Sequence, residues 1–166
     1  MAREKNFRGK REKPEYEQKL LDLARVARVV KGGRRFRFRA TLVIGNRKGK
    51  VGVGVGKGAD VSDAIKKAFD DAKKKLINVT MHKNTIPHDI LYKVGSAKVL
   101  LKPAAPGKGI IAGGAMRTVV DLSGIKDIVA KSMGTSNKLN VARATIGAFK
   151  ILAESRSRNA RIGAGK

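Results

Sequence analysis

Cysteine and tryptophan are both missing from this chain, and aromatic residues make up only 4% of it. Without Cys there is no disulfide, no thiolate metal ligand and no cysteine nucleophile. Without large aromatics the core has to be assembled from Val, Ile, Leu and Ala. No apolar run reaches the length of a membrane span. The N-terminal Met1-Ala-Arg-Glu-Lys-Asn6 lacks the apolar stretch of a secretory signal, so the expected compartment is the cytoplasm. Acids are scarce as well, with 13 Asp and Glu in 166 residues.

Against those acids stand 38 Lys and Arg, a net charge of +25 with a pI near 11.0. Charge of that size opposes compaction unless a polyanion neutralises it, and nucleic acid does so by exchanging its condensed cations for Lys and Arg. A polybasic membrane-surface protein would need an amphipathic anchor or a lipidation signal, and neither is evident. The length suits one domain or two small ones.

Residues 1–15 read as a basic arm, with Arg3, Lys5, Arg8, Lys10, Arg11 and Lys13 around Phe7, and the tail from Arg156 to Lys166 reads the same way. Organised structure is expected from about Leu20. Lys31-Gly-Gly-Arg-Arg35 is a glycine turn joining strands at Leu23–Val30 and Phe36–Ile44. Alternation along the second strand predicts a core face of Phe36, Phe38, Ala40, Leu42 and Ile44, with Arg35, Arg37 and Arg39 opposite. After a turn at Gly45–Lys50, Val51-Gly-Val-Gly-Val-Gly56 puts valines on one face and glycines on the other. Such a glycine face fits close approach of another backbone or of a packed helix. A helix is expected over 61–77, capped by Asp60, with an apolar stripe of Ala64, Ile65, Ala68, Phe69, Ala72 and Leu76. A subdomain boundary is expected near 80–86. Beyond it the pattern predicts strands at Ile90–Val94 and Ala97–Lys102, a loop at Pro103–Gly109, a short helix at 115–122, a buried strand within Ile125–Met133, and a helix over Leu139–Leu152 capped by Asn137 or Asn140.

The glycine-rich stretches fail as nucleotide loops. Neither Gly52–Gly58 nor Gly107–Gly114 supplies the Gly-x4-Gly-Lys-Ser/Thr pattern, and the dinucleotide spacing is absent too. His82 and His88 lack neighbours for a metal site or a triad, Asp121 and Asp127 form no acid/base pair, and Ser96, Ser132 and Ser136 have no nucleophile-elbow context. No cofactor, metal or catalytic step is expected. What remains is cationic: five positive side chains lie between Lys31 and Arg39, on a turn able to enter a groove while its strand face stays anchored. A stand-alone RNA chaperone or architectural nucleic-acid-binding protein fits that description as well.

Four ordered segments go further. Val30-Lys-Gly-Gly-Arg-Arg-Phe36, Val51-Gly-Val-Gly-Val-Gly-Lys57, Lys102-Pro-Ala-Ala-Pro-Gly-Lys-Gly-Ile-Ile-Ala-Gly-Gly-Ala-Met-Arg117 and Asn140-Val-Ala-Arg-Ala-Thr145 together resemble the small-subunit ribosomal protein S five family, over about residues 16–153. The resemblance implies an α+β fold. Residues 16–80 would form a sheet-plus-helix unit like a double-stranded-RNA-binding domain, 81–153 a split β-α-β subdomain, and 1–15 and 154–166 basic extensions. It implies binding to small-subunit rRNA, here through Lys31, Gly32, Gly33, Arg34, Arg35, Arg37, Arg39, Arg47, Lys48, Lys50 and Lys57. It also implies packing against ribosomal proteins S four and S eight near the messenger RNA entry and the decoding region, with a role in assembly and accuracy. Lys31–Arg34 would match the family's loop beside the spectinomycin site. The S-four-facing segment would be Lys108–Arg117, with Gly109 and Arg117 the matching positions. No membrane contact and no homo-oligomer are implied.

Overall fold

In a computed structural model of the chain, the backbone of residues 15–163 and the side chains of residues 15–153 are described. The arm expected over 1–15 lies almost wholly outside the described residues. The fold is α+β, as the sequence implied, and holds two sheets.

The first sheet has the order β1-β2-β3-β4, formed by β1 (Glu17–Val30), β2 (Gly33–Gly45), β3 (Lys50–Gly58) and β4 (Ile77–Asn78), with α1 (Val61–Lys74) crossing one face. The alternating glycines of β3 meet this helix. A Cβ on Gly54 would collide with the Ala68 carbonyl and the Ala72 amide, and one on Gly56 with the Ala64 carbonyl; at Gly52 it would stand 2.7 Å from the Ala72 carbonyl. A row of glycines thus lies under a row of alanines, Ala64, Ala68 and Ala72, all fully buried with Ala40, Leu42 and Ile44 of β2. Of the two readings of the glycine face, the packed helix is the one realised. Asp60 stands at the N-cap, but its side chain makes no capping hydrogen bond; only its carbonyl accepts from the Ala64 amide. Asp71 on α1 accepts from the Val55 amide at 3.0 Å, which covers the open edge of β3.

The opposite face of the same strands is buried too. Val43, Val51 and Val53 join the larger core, in which the helices α2 (Gly114–Ser123) and α3 (Lys138–Gly163) pack on the second sheet. That sheet runs β5-β6-β8-β7, from β5 (Ile90–Val94), β6 (Ala97–Pro103), β7 (Ile110–Ile111) and β8 (Ile128–Met133). All pairs are antiparallel except β7 with β8, which are parallel and joined through α2 as a β-α-β element. The two-residue β7 was not expected from the pattern. Asn137 is the cap of α3, its side-chain oxygen accepting from the Leu139 amide at 3.1 Å.

Two expectations need correction. Phe36 is not core: it is 47% exposed, because β2 runs past the reach of α1 and no other described helix or strand covers that face at its outer end. The helix expected to end at Leu152 continues to Gly163, since residues 153–162 contain neither Gly nor Pro to stop it.

The sheets are joined through the β2–β3 turn. The amides of Arg47 and Gly49 donate to the carbonyls of Leu122 (3.0 Å) and Ser123 (2.9 Å), which are orphan acceptors at the end of α2. Gly124, at φ +93°, lets the chain turn directly against the Arg47 carbonyl, where any side chain would clash.

Candidate nucleic-acid interface

β3 stops pairing at Phe38↔Gly58, while β1 and β2 continue for five more pairs, Val26↔Arg37 to Val30↔Gly33. At about 3.3 Å per residue the free ribbon stands roughly 17 Å beyond the three-stranded sheet. Lys31 and Gly32 close it as a two-residue loop, and Gly33 just after them holds φ +146°, a backbone conformation that L side chains rarely adopt.

The register decides which cations act together. Arg28 lies opposite Arg35, Val26 opposite Arg37, and Arg39 opposite Lys57. Arg28, Arg35, Arg37 and Lys57 therefore share one face, where with Val26 and Ala27 they line a recess of about 350 Å³. On the other face Arg25 stacks its guanidinium 3.7 Å from the centre of the Phe36 ring. No Asp or Glu occurs in sequence between Asp22 and Asp60. Asp22, the acid that precedes the ribbon, is already engaged: it takes Lys138 at 3.2 Å and Arg39 at 3.8 Å. Among the described residues Lys31, Arg34, Arg35, Arg37, Lys48, Lys50 and Lys57 have no carboxylate within ion-pair reach.

The expected rRNA residues fall into two groups rather than one. Lys31, Gly32, Gly33, Arg34, Arg35, Arg37 and Lys57 belong to the ribbon and its base, and Arg39 sits half-buried below them, tied to Asp22. Arg47, Lys48 and Lys50 lie at the far end of β2, about 40 Å away along a 13-residue strand. Lys48 and Lys50 are exposed there. Arg47 is committed within the molecule: its side chain pairs with Glu17 at 2.9 Å and reaches Asp121 at 3.9 Å. Asp121 also accepts from Lys19 at 2.9 Å, and that hydrogen bond, ahead of the opposing effect of burial, holds its carboxyl below the usual range. Lys108 and Arg117 are exposed on the loop before β7 and on the first turn of α2.

Sequence reasoning missed Arg25 and Arg28, both on the first strand of the expected hairpin: Arg28 lies opposite the cation Arg35, whereas Arg25 lies opposite Phe38 on the other face. It also set Asp127 aside as an acid/base candidate without giving it a structural role. That carboxylate is 5% exposed, and its Oδ1 accepts from the amides of Gly107 (3.0 Å) and Gly109 (2.9 Å), fixing the loop that carries Lys108. Among the described residues no group of three His, Cys, Asp or Glu side chains could hold a metal ion, and no helix is long and apolar enough to cross a membrane.

Comparison with known proteins decides the family. Residues 16–80 match the family model for the N-terminal domain of ribosomal protein S5, and residues 92–160 match the model for its C-terminal domain. The chain belongs to the ribosomal protein S five family. It is 54% identical over 138 residues to "Small ribosomal subunit protein uS5" of Campylobacter jejuni serotype O:23/36, covering 83% of this chain and 94% of that one. The serotype O:6 protein of the same name matches to the same extent. The family is not enzymatic.

Proposed function

We propose that this chain is a structural constituent of the small ribosomal subunit in the cytoplasm and holds folded rRNA by charge and shape. The observation that carries the reading is the β1–β2 ribbon, with six cations, Arg25, Arg28, Lys31, Arg34, Arg35 and Arg37, and no acid between them. A narrow two-stranded ribbon with Arg on both faces reaches phosphates on two sides of a groove, and Arg can stack on unpaired bases at its tip. Lys48 and Lys50 supply a second phosphate contact at the other end of the sheet. Residues 16–80 and 81–153 act as two subdomains, with basic extensions at 1–15 and 154–166.

In the same reading Lys108, Gly109 and Arg117 face ribosomal protein S four, S eight packs nearby, and the chain stands near the messenger RNA entry and the decoding region, where it bears on accuracy. The support is chemical: an exposed loop with Lys108 at its tip, pinned by Asp127, presents a fixed outline to a neighbour. Crosslinking in cells followed by sequencing of the attached RNA tests the proposal. Reads concentrated in small-subunit rRNA at the ribbon residues are expected. Reads scattered over messenger RNA would indicate a stand-alone RNA chaperone.

A further inference from the structure

The ribbon has a second face, the one turned away from the recess of Arg28, Arg35, Arg37 and Lys57. The register pairs Leu23 with Ala40, Arg25 with Phe38, Ala27 with Phe36 and Val29 with Arg34, so these side chains share the side of the sheet on which α1 packs. Ala40 is buried beneath that helix and Phe38 is half-buried at its margin. Nearer the tip no described helix or strand lies over this side. What is left open is apolar: Val29 is 76% exposed, and Leu23 and Phe36 nearly half. Scattered singly such residues need no explanation, but these line up along one ribbon face, and contiguous exposed apolar surface marks a contact site. Arg25 shapes that face. Its guanidinium carbon sits 3.7 Å from the centre of the Phe36 ring, its diagonal neighbour in the register. Neither Arg25 nor Arg34 has a carboxylate within ion-pair reach among the described residues.

A phosphate would satisfy Arg25 and Arg34 but brings no apolar surface to Phe36, Val29 and Leu23. A protein would cover the apolar side chains, yet the reverse face of the same thin ribbon, lined by Arg28, Arg35, Arg37 and Lys57, calls for a polyanion. A nucleobase meets both demands, with its π face against the aromatic ring and the guanidinium plane and its polar edge within reach of guanidinium N–H groups. Bases inside a duplex are already stacked on one another, so the base has to be unpaired. We infer that Phe36 and Arg25, flanked by Val29 and Arg34, form a stacking site for one unpaired base of small-subunit rRNA. The site rests on the rRNA-binding reading of the ribbon and adds to it a position where the chain grips a base instead of the backbone. Arg25 already lies against the ring in the free chain, so little side-chain freedom is lost when the base arrives.

Small subunits containing the full-length chain are irradiated with ultraviolet light, and mass spectrometry of the nucleotide–peptide adducts should show a link at Phe36; sequencing of the attached RNA identifies the nucleotide. Filter binding of the full-length chain to an rRNA fragment carrying that nucleotide then measures the contact. Phe36→Ala should weaken binding roughly tenfold, within the range for one stacked base, and Phe36→Tyr should restore it. The slope of log affinity against log salt should stay that of wild type in both, since no phosphate contact is lost. Removing the base while keeping its sugar and phosphate should weaken the wild-type chain by the same factor and Phe36→Ala no further. Circular dichroism verifies the fold, and Phe36→Leu, which keeps apolar bulk without a ring, should weaken binding as Phe36→Ala does and stands in for it if the smaller side chain prevents folding. Binding by the ring-less variants as tight as wild type would overturn the inference, as would an equal loss in wild type and variant on removing the base. Links to rRNA from the Arg35 and Arg37 peptides with none from Phe36, or a photoreactive benzophenone side chain at Val29 that links to protein in place of RNA, would overturn it too. Absence of any rRNA link from the chain would instead overturn the functional reading.

Discussion

At the scale of single residues, two positions carry consequences out of proportion to their size. Gly54 lies between two backbone groups of α1, so a methyl group there forces the helix away from β3. Gly54→Ala should cost about 2–3 kcal/mol in urea unfolding, the range for overpacking a filled core. The same change at Gly32, where nothing stands within 4 Å, should leave stability nearly unchanged. Asp127 is the second case. Removing its carboxylate strips both the Gly107 and the Gly109 amides of their acceptor. Asp127→Ala should destabilise by about 2–4 kcal/mol, given that hydrogen bonds to charged groups contribute about 1.5–3 kcal/mol each. It should also release the loop, seen as faster amide exchange at 107–109 than in the wild-type chain.

At the scale of elements, the ribbon and the sheet from which it grows separate affinity from stability. Arg35 and Arg37 are exposed and have no carboxylate partner among the described residues, so Arg35→Gln/Arg37→Gln should leave the unfolding midpoint within about 0.5 kcal/mol of wild type. RNA binding should behave otherwise. Every phosphate that the protein no longer neutralises takes roughly 0.7–0.9 from the slope of log affinity against log salt, so the pair should lower that slope by about 1.4–1.8. Filter binding to a small-subunit rRNA fragment across a salt series measures it, and an unchanged slope would place the phosphates elsewhere. Much of this element was legible beforehand. The glycine pair fixed the turn, and alternation assigned Arg35, Arg37 and Arg39 to a single face. What alternation could not reveal is that this face changes character along its length, from cations at Arg35 and Arg37 to buried Thr41 and Val43, because the second sheet and its helices arrive from distant sequence.

At the scale of the whole molecule, the two halves are coupled by polar contacts as well as by core. The β2–β3 turn supplies donors to the last carbonyls of α2, and Lys19, Arg47 and Asp121 tie β1, that turn and α2 together. The Asp121 carboxyl is depressed in the folded state, chiefly through the Lys19 hydrogen bond. Its contribution is therefore present above the unfolded carboxylate value and is lost as pH falls below about 4 through the lower folded value. Asp121→Asn should cost under about 1 kcal/mol at neutral pH, since its partners are half exposed, and should flatten the fall in stability between neutrality and acid. Urea titrations at successive pH values give both quantities. Gly124→Ala should act more strongly, because it forces both an unfavourable backbone and a collision with Arg47. Calorimetry should show a single transition moved to lower temperature, not two separate ones.

Composition alone determined that the partner is a polyanion and that no thiol chemistry operates. Periodicity determined most strands and helices, because the 2.0 and 3.6 residue repeats are local properties of the chain. The tertiary structure decided what depends on contacts between distant residues. It turned the Gly52, Gly54 and Gly56 face toward α1. It also engaged Arg47 and Arg39 with internal acids, and left Phe36 outside the core beside Arg25. A side chain's local pattern states which way it points. Only the packing of the other elements states what it meets there, and for cations in a chain of +25 that difference separates an internal ion pair from a contact to RNA.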